Sequence, residues 1–369
     1  MDSFSSGFRQ CGHQVLEIDT SQGFNNEDYK KVKDFKPCYI VCYGFAGILS
    51  TPNGALFRLM GIPMIALLYD NPFFLLSDTV EEELREYADY YHLFIWDSYF
   101  LKKMRENRYK NCFSIMLAAD LGKFYPQKVE VVPNSLAFVG SIKLPDNKCL
   151  DGLPSLVKNF IETIIEYKIQ HFDVPVMEIC SYFMNQNSYT QIREIFQNQV
   201  NYFWKTIYYK IHSVGSSYLR YFVLNCIEDV DINIYGSGKW ENKNVRFHEY
   251  VPYGPSLSRE YQKHVINLNI SSIQLEHSIN NRVFDVFASK SFLLSDYKED
   301  MKKVFPQYWS YITFSNLSEL GEKGEYYLTH EKERIELVEE IYNHIIKNHT
   351  YKERVKQILS IINEKNPCE

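Results

Sequence analysis

The residues best suited to chemistry lie in Asn280-Asn-Arg-Val-Phe-Asp-Val-Phe-Ala-Ser-Lys-Ser-Phe-Leu-Leu-Ser295. Asn280 suits an N-cap. A helix starting at Asn281 would turn its free N–H groups and the positive end of its dipole toward an anion. Arg282, in the first turn, opposes that dipole. The placement makes sense where its planar fork grips a phosphate. Asp285 lies one turn on, on the same face, and could accept hydrogen bonds from a ribose. The spacing fits equally a plain intrahelical Arg282–Asp285 pair, worth roughly 0.3 kcal/mol.

Two glycine motifs follow apolar runs. Gly140-Ser141 comes after Leu136–Val139, and Tyr235-Gly236-Ser237-Gly238 closes the run from Ile232. Ligands of an open parallel sheet bind beyond the carboxyl ends of its strands. Small residues there let a phosphate approach backbone N–H groups. Either motif alone fits a simple strand-to-loop turn as well. As a dinucleotide fingerprint Gly236-Ser-Gly238 is weak, because no third glycine follows. Asp229-Val-Asp231 has the D-x-D form of a metal-held nucleotide-sugar site, but it precedes its strand, at the wrong end of the sheet, and reads as a solvated turn.

A base is needed if a hydroxyl is to be deprotonated. Asp70, just past the Met64–Leu68 run, is the candidate, with capping of the Asp-Asn-Pro turn as the alternative reading. Asp19 and Asp97 also end apolar runs and are weaker candidates. His13, His248 and His277 receive no role. The eight cysteines form no C-x-x-C pair. A structural zinc is therefore not expected, and buried, reduced thiols are.

These residues need a scaffold of strands and helices. Strands are expected at 15–19, 38–42, 64–68, 92–96 and 112–117, with helices between them. Thr79-Val-Glu-Glu82 reads as a capping box, and Ser98 to Asn107 as a short helix. After 136–139 comes a long helical region from about 151 to 227. Further strands follow at 232–235, 265–269, 292–295 and 311–314, and the chain ends in helices whose apolar residues recur at i, i+3, i+4 and i+7. Strand and helix in alternation imply parallel sheets covered on both faces.

Met1 falls almost on a helix-like segment, Ser3 to Cys11. The usual opening strand of a doubly wound domain therefore has no residues. Either the chain starts downstream of its natural beginning, or the first sheet is one strand short. The stretch 126–135, with its prolines and mixed charge, reads as a hinge. The expected domains are 1–130, 131–345 with the helical segment 151–227, and a C-terminal helix over 346–369.

At 369 residues the chain has room for two domains. Its 45% apolar and 23% charged residues are ordinary for a globular protein. A net charge of −6 lacks the basic excess of a general nucleic-acid binder. No secretory leader opens the sequence, and no apolar run is long enough to cross a bilayer. A cytoplasmic location and no transmembrane segment are expected.

Taken in order, the motifs resemble the CgeB-like glycosyltransferases, the spore maturation protein group. Arg282-Val-Phe-Asp-Val-Phe-Ala with Phe292-Leu-Leu-Ser-Asp296 is similar to that family's R-x-F-E-x-x-A and f-l-l-t-D. Phe138-Val-Gly-Ser141, Ile234-Tyr-Gly-Ser-Gly-Lys-Trp240, Asn267-Leu-Asn269 and His349-Thr-Tyr-x-x-Arg354 match its other signatures. So do Gly61-Ile-Pro63 with Tyr69-Asp-Asn-Pro72, and Leu117-Ala-Ala-Asp120 with Phe124-Tyr-Pro126. The likeness runs nearly the whole chain.

The resemblance implies a GT-B fold, α/β, with two doubly wound Rossmann-like domains facing across a cleft. It implies a nucleotide-sugar donor on the C-terminal half and a glycan, protein or small-molecule acceptor on the N-terminal half. No bound metal or other cofactor is implied, and no nucleic-acid partner. Asp285 would take the ribose, where the family usually carries Glu. Arg282, the helix start at Asn281, Gly140, Ser141, Tyr235 and Gly236 would meet the diphosphate. Tyr250 would border the base, and the backbone of Val251 would read its edge. The family often has A-C-G after the acidic residue, where this chain has Ala288-Ser-Lys290. A non-catalytic binding or assembly module on the same fold is the alternative, drawn from these departures and the absent first strand.

Overall fold

The computed structural model describes residues 2–142, 144, 146–238, 240 and 245–365. The chain divides into two units, residues 1–118 with 349–369, and residues 119–348. Each is an α/β body around a parallel sheet.

In the first unit β1 (Ile40–Tyr43), β2 (Met64–Leu68), β3 (Tyr91–Ile95) and β4 (Cys112–Ser114) lie side by side in sequence order, all parallel. Every residue of β2 and β3 is buried, as expected of parallel strands covered on both faces. Helices Asp78–Glu86 and Ser98–Glu106 make the right-handed crossovers. The core joins Phe4, Ile65, Leu67, Phe94 and Ile115 to Val355, Ile358 and Ile362. The C-terminal helix Tyr351–Lys365 thus belongs to this unit. It packs so closely on helix Asp2–Gln10 that a Cβ at Gly7 would stand 2.8 Å from the Tyr351 carbonyl oxygen. Arg354 anchors it by donating from Nε to the carbonyls of Met116 and Leu117 at 3.0 and 3.1 Å.

Several expectations for this half need correction. Residues 15–19 form no strand, so the described sheet of this unit has four strands and runs in one direction only. Asp19 instead accepts from its neighbour Ser21 N at 2.9 Å in a turn. The cap of helix Asp78–Glu86 is Ser77, whose hydroxyl accepts from Val80 N, not Thr79. The boundary falls at 118, not 130, because residues 119–127 are fastened to the second unit. Phe124 is buried against Tyr253 and Tyr261, and Gln127 N donates to Gln262 Oε1 at 2.6 Å. The hinge expected at 126–135 is in part strand. The C-terminal segment likewise divides at 348, since helix Glu331–Asn348 lies in the second unit.

The second unit carries β5 (Val132–Val139), β6 (Asp231–Tyr235), β7 (Val245–His248), β8 (His264–Asn269), β9 (Leu293–Asp296) and β10 (Thr313–Phe314). Their order is β10-β9-β8-β5-β6-β7, all parallel. The chain moves outward from β5 to β7, then returns to the other side of β5 and moves outward again. The reversal lies between β5 and β8, and ligands of such sheets bind at that switch point beyond the strand ends. The region 151–227 is not one helix but several. These include Ser155–Gln170, Val176–Met184 and Tyr209–Asn225, the last continuing from a π-helical stretch Phe203–Tyr208.

All seven described cysteines are free thiols, but only Cys112 and Cys180 are buried, while Cys38, Cys149 and Cys226 are exposed. Cys368 and Lys239 lie outside the described residues. No helix among the described residues is long and apolar enough to cross a membrane.

Candidate functional site

At the switch point β5 ends in Gly140-Ser141 and β6 in Gly236-Ser237-Gly238. The two loops stay paired past the strands. Gly140 N donates to Tyr235 O, and Ile142 N to Ser237 O, each at 2.9 Å. A Cβ on Gly236 would sit 2.2 Å from the Gly140 carbonyl oxygen, and one on Gly238 1.6 Å from that of Ile142. The glycines are there because the two backbones touch. The Ser141 and Ser237 hydroxyls stand 2.9 Å apart, and both residues are exposed.

Helix Asn281–Ala288 starts where the spacing places it. Asn280 occupies the N-cap in extended backbone (φ −81°, ψ 167°) but makes no capping bond with its side chain. Its amide donates instead to Asn269 Oδ1 at 2.9 Å. The first turn is therefore left without a side-chain cap, as an anion site needs. Asn269, fully buried at the end of β8, also accepts from Arg282 Nη1. That bond turns Arg282 away from Asp285 and against β5. A Cβ on Gly140 would lie 3.3 Å from Arg282 Nη2.

A second arginine reaches the same place. Arg220, on helix Tyr209–Asn225, donates from Nη1 to Ser141 O at 3.0 Å and from Nε to Ile270 O at 3.4 Å. Both guanidinium groups lie near the Phe138 ring, at 5.8 and 5.6 Å from its centroid. Burial and the like charge of Arg282 lower the Arg220 pKa to about 10, which leaves it charged at neutral pH. Neither arginine has an ion-pair partner among the described residues. Two half-buried like charges beside an open backbone loop make a place for an anion.

Asp285 is 1% exposed. Tyr253 Oη donates to its Oδ1 at 3.2 Å and Asn281 Nδ2 to its Oδ2 at 3.1 Å. Burial pushes its carboxyl well above the usual range, against the pull of Tyr253 and Arg282. Tyr235 gives the site only its backbone. Its ring stacks on His248 at 4.4 Å, and its hydroxyl is hydrogen-bonded to His264 Nε2 at 2.9 Å. Tyr250 stands 69% exposed. Lys290, where the resembled family has glycine, holds a left-handed φ of 59° just after the helix. Lys290 N donates to Phe287 O and Ser291 N to Val286 O, a turn glycine would take without strain.

The Asp229–Asp231 pair lies at the amino end of β6, away from this rim, with Asp231 3.5 Å from Arg246. Among the described residues no three His, Cys, Asp or Glu side chains converge to hold a metal.

In the first unit Asp70 stands past the end of β2. Asn71 is the N-cap of the turn that follows, accepting from Phe73 N at 3.0 Å. Asp70 accepts from the hydroxyl of Tyr43, the last residue of β1. Tyr43 stacks on Tyr69 at 6.4 Å and is 41% exposed. Asp97 is the N-cap of helix Ser98–Glu106, accepting from Tyr99 N at 2.9 Å, which accounts for it.

Residues 220–360 match a family model described as "Glycosyl transferase-like". The structure is similar to TarM, with 11% identity and a TM-score of 0.50, covering 88% of this chain and 54% of that one. It is similar to the DNA modifying enzyme β-glucosyltransferase at 9% identity and a TM-score of 0.54, over 98% of this chain and 93% of that one. The T4 phage BGT in complex with its UDP-glucose substrate gives 10%, 0.52, 99% and 92%. The fold is GT-B. The GT-B likeness at these identities is one of fold. The chain spans about half the length of TarM. No curated protein matches the sequence.

The GT-B core includes the sheet rim on which Arg282, Gly140, Ser141 and Gly236 gather. Arg220 was hidden from sequence reasoning. Its only signal was a lone arginine among the apolar residues of a long helical region. The hydroxyl of Tyr43 gave no signal at all.

Proposed function

We propose that the protein is a GT-B glycosyltransferase of the CgeB-like kind. It would move a sugar from a nucleoside-diphosphate donor to the hydroxyl of a glycan, a protein or a small molecule. The observation that carries this reading is the Arg220–Arg282 pair, two half-buried cations without carboxylate partners beside Gly140 and Ser141. The diphosphate is the ligand that completes it. It accepts from both guanidinium groups and from the uncapped start of helix Asn281–Ala288, and the same charges stabilise it as the leaving group. Ser141 and Ser237 add hydroxyl donors. Because the two arginines supply the positive charge, the reaction needs no bound metal. That T4 phage BGT was solved with UDP-glucose supports the donor class.

The acceptor is received at the rim of the first unit. Asp70 takes the proton from its hydroxyl if the transfer inverts configuration. Tyr250 and the Val251 backbone border the base. A cytoplasmic setting, where nucleotide sugars are made, suits this donor.

Thermal unfolding of the protein with UDP, GDP, ADP and CDP, with and without EDTA, tests the reading. One diphosphate should raise the midpoint in both conditions, and Arg282→Ala should abolish the rise. Slow donor hydrolysis should accompany it. No response to any nucleotide would favour a non-catalytic module.

A further inference from the structure

This inference rests on the donor reading above and concerns how the ribose is recognised. In the resembled family the acidic residue at 285 meets the ribose itself. Here that carboxylate is shorter, 1% exposed, and has a donor on each oxygen. The group in front of it is Asn281. Its Nδ2 donates to Asp285 Oδ2 at 3.1 Å and to Tyr253 Oη at 3.2 Å, which uses both amide hydrogens. The opposite flip would set the amide oxygen against the Tyr253 hydroxyl oxygen, whose one hydrogen goes to Asp285 Oδ1. Tyr253 and Asp285 together therefore fix the carboxamide with its oxygen facing away. That oxygen accepts no hydrogen bond among the described residues, and it sits at the first residue of the helix, next to Arg282. Tyr253 is held in turn by edge contact with Phe124, ring centroids 4.8 Å apart.

We propose that the Asn281 carboxamide oxygen, not the Asp285 carboxylate, accepts the hydrogen bond of a ribose hydroxyl. Asp285 and Tyr253 are positioning residues that fix the amide's orientation. The site then selects ribonucleoside over deoxyribonucleoside diphosphates.

The test is calorimetric titration of the full chain with the tightest binder among UDP, GDP, ADP and CDP, and with its 2′-deoxy and 3′-deoxy analogues. The wild type should prefer the ribose form by about 5- to 10-fold over at least one analogue, as one hydrogen bond allows. Asn281→Ala should bring that ratio close to one while leaving affinity for the deoxy form unchanged. Tyr253→Phe should lower the ratio in part. A structural role alone would weaken both forms together. A wild-type ratio retained in Asn281→Ala, or equal loss of both forms, would overturn the proposal. If binding exists and is abolished by Arg282→Ala while that ratio persists, only this inference fails. If no diphosphate binds at all, the donor reading fails with it.

Discussion

Arg220 and Arg282 flank one ring. They arrive from helices far apart in sequence, and each lies within 6 Å of the Phe138 centroid, at 5.8 and 5.6 Å. Burial first, and then the like charge of Arg282, lowers the Arg220 pKa to about 10. An anion between them relieves that repulsion. We expect Arg220→Ala and Arg282→Ala each to weaken nucleoside-diphosphate binding by roughly 10- to 100-fold, the range for hydrogen bonds to charged groups. Added salt should weaken the wild type more than either variant. Calorimetry at two ionic strengths checks both statements, and unchanged affinity in either variant would remove that arginine from the site.

Gly236 is a steric requirement before it is a ligand contact. A side chain there would drive a Cβ to 2.2 Å from the Gly140 carbonyl oxygen, and the backbone φ of 156° adds strain. Separating the loops breaks the 2.9 Å bonds from Gly140 N to Tyr235 O and Ile142 N to Ser237 O. Gly236→Ala should cost roughly 2–3 kcal/mol of stability, by clash and by lost pairing. Urea unfolding measures it. A loss below the scatter of the method would mean that the loops part without cost.

The legible part of this molecule was the part written in local sequence. The helix start at 281 followed from Asn280 and the apolar spacing, and Gly140 and Gly236 followed from their place after apolar runs. What failed was what depends on distant partners. Residues 15–19 have a strand-like pattern, but the described sheet of the first unit gives them no place, and propensity yields to tertiary context. Ser77 and Thr79 both begin plausible caps, and the helix chose the earlier one. Residues 119–130 read as the end of the first domain, yet Phe124 and Gln127 are held by the helix beginning at Pro255 and by the residues before it. Arg220 shows the limit best. Nothing near it in sequence marks it, and only the closing of helix Tyr209–Asn225 onto Ser141 and Ile270 brings it to the site.

His264 makes stability pH-dependent. It is buried at the start of β8, with its Nε2 hydrogen-bonded to the Tyr235 hydroxyl at 2.9 Å. Burial lowers its pKa from 6.5 to about 4, with Glu260 opposing and His248 and Lys263 reinforcing. The folded state thus disfavours the proton that the unfolded chain accepts. The contribution is whole above pH 6.5 and is lost as pH falls toward about 4. Relative to His264→Phe, the wild type should lose roughly 2 kcal/mol between pH 7 and pH 5. Denaturant titrations of both proteins at those two pH values check it, and parallel curves would show that another group sets the slope.

Asp70 and Tyr43 meet across neighbouring strand ends, with the Tyr43 hydroxyl donating to the carboxylate. That bond restrains Asp70. As the base of the proposed transfer, Asp70 must reach an acceptor hydroxyl, and Tyr43 aims it. Asp70→Asn should lower kcat by about 10²- to 10⁴-fold, the ordinary worth of a general base, while nucleoside-diphosphate affinity stays at the wild-type value. Tyr43→Phe keeps the ring on Tyr69 and removes only the hydrogen bond. Asp70 is then less well aimed, and kcat should fall by roughly 10-fold. Steady-state rates of the two variants, set beside their calorimetric nucleotide affinities, separate these roles. Full activity in Asp70→Asn would mean that the proton leaves by another route. An unchanged kcat in Tyr43→Phe would mean that the hydroxyl does not aim the carboxylate.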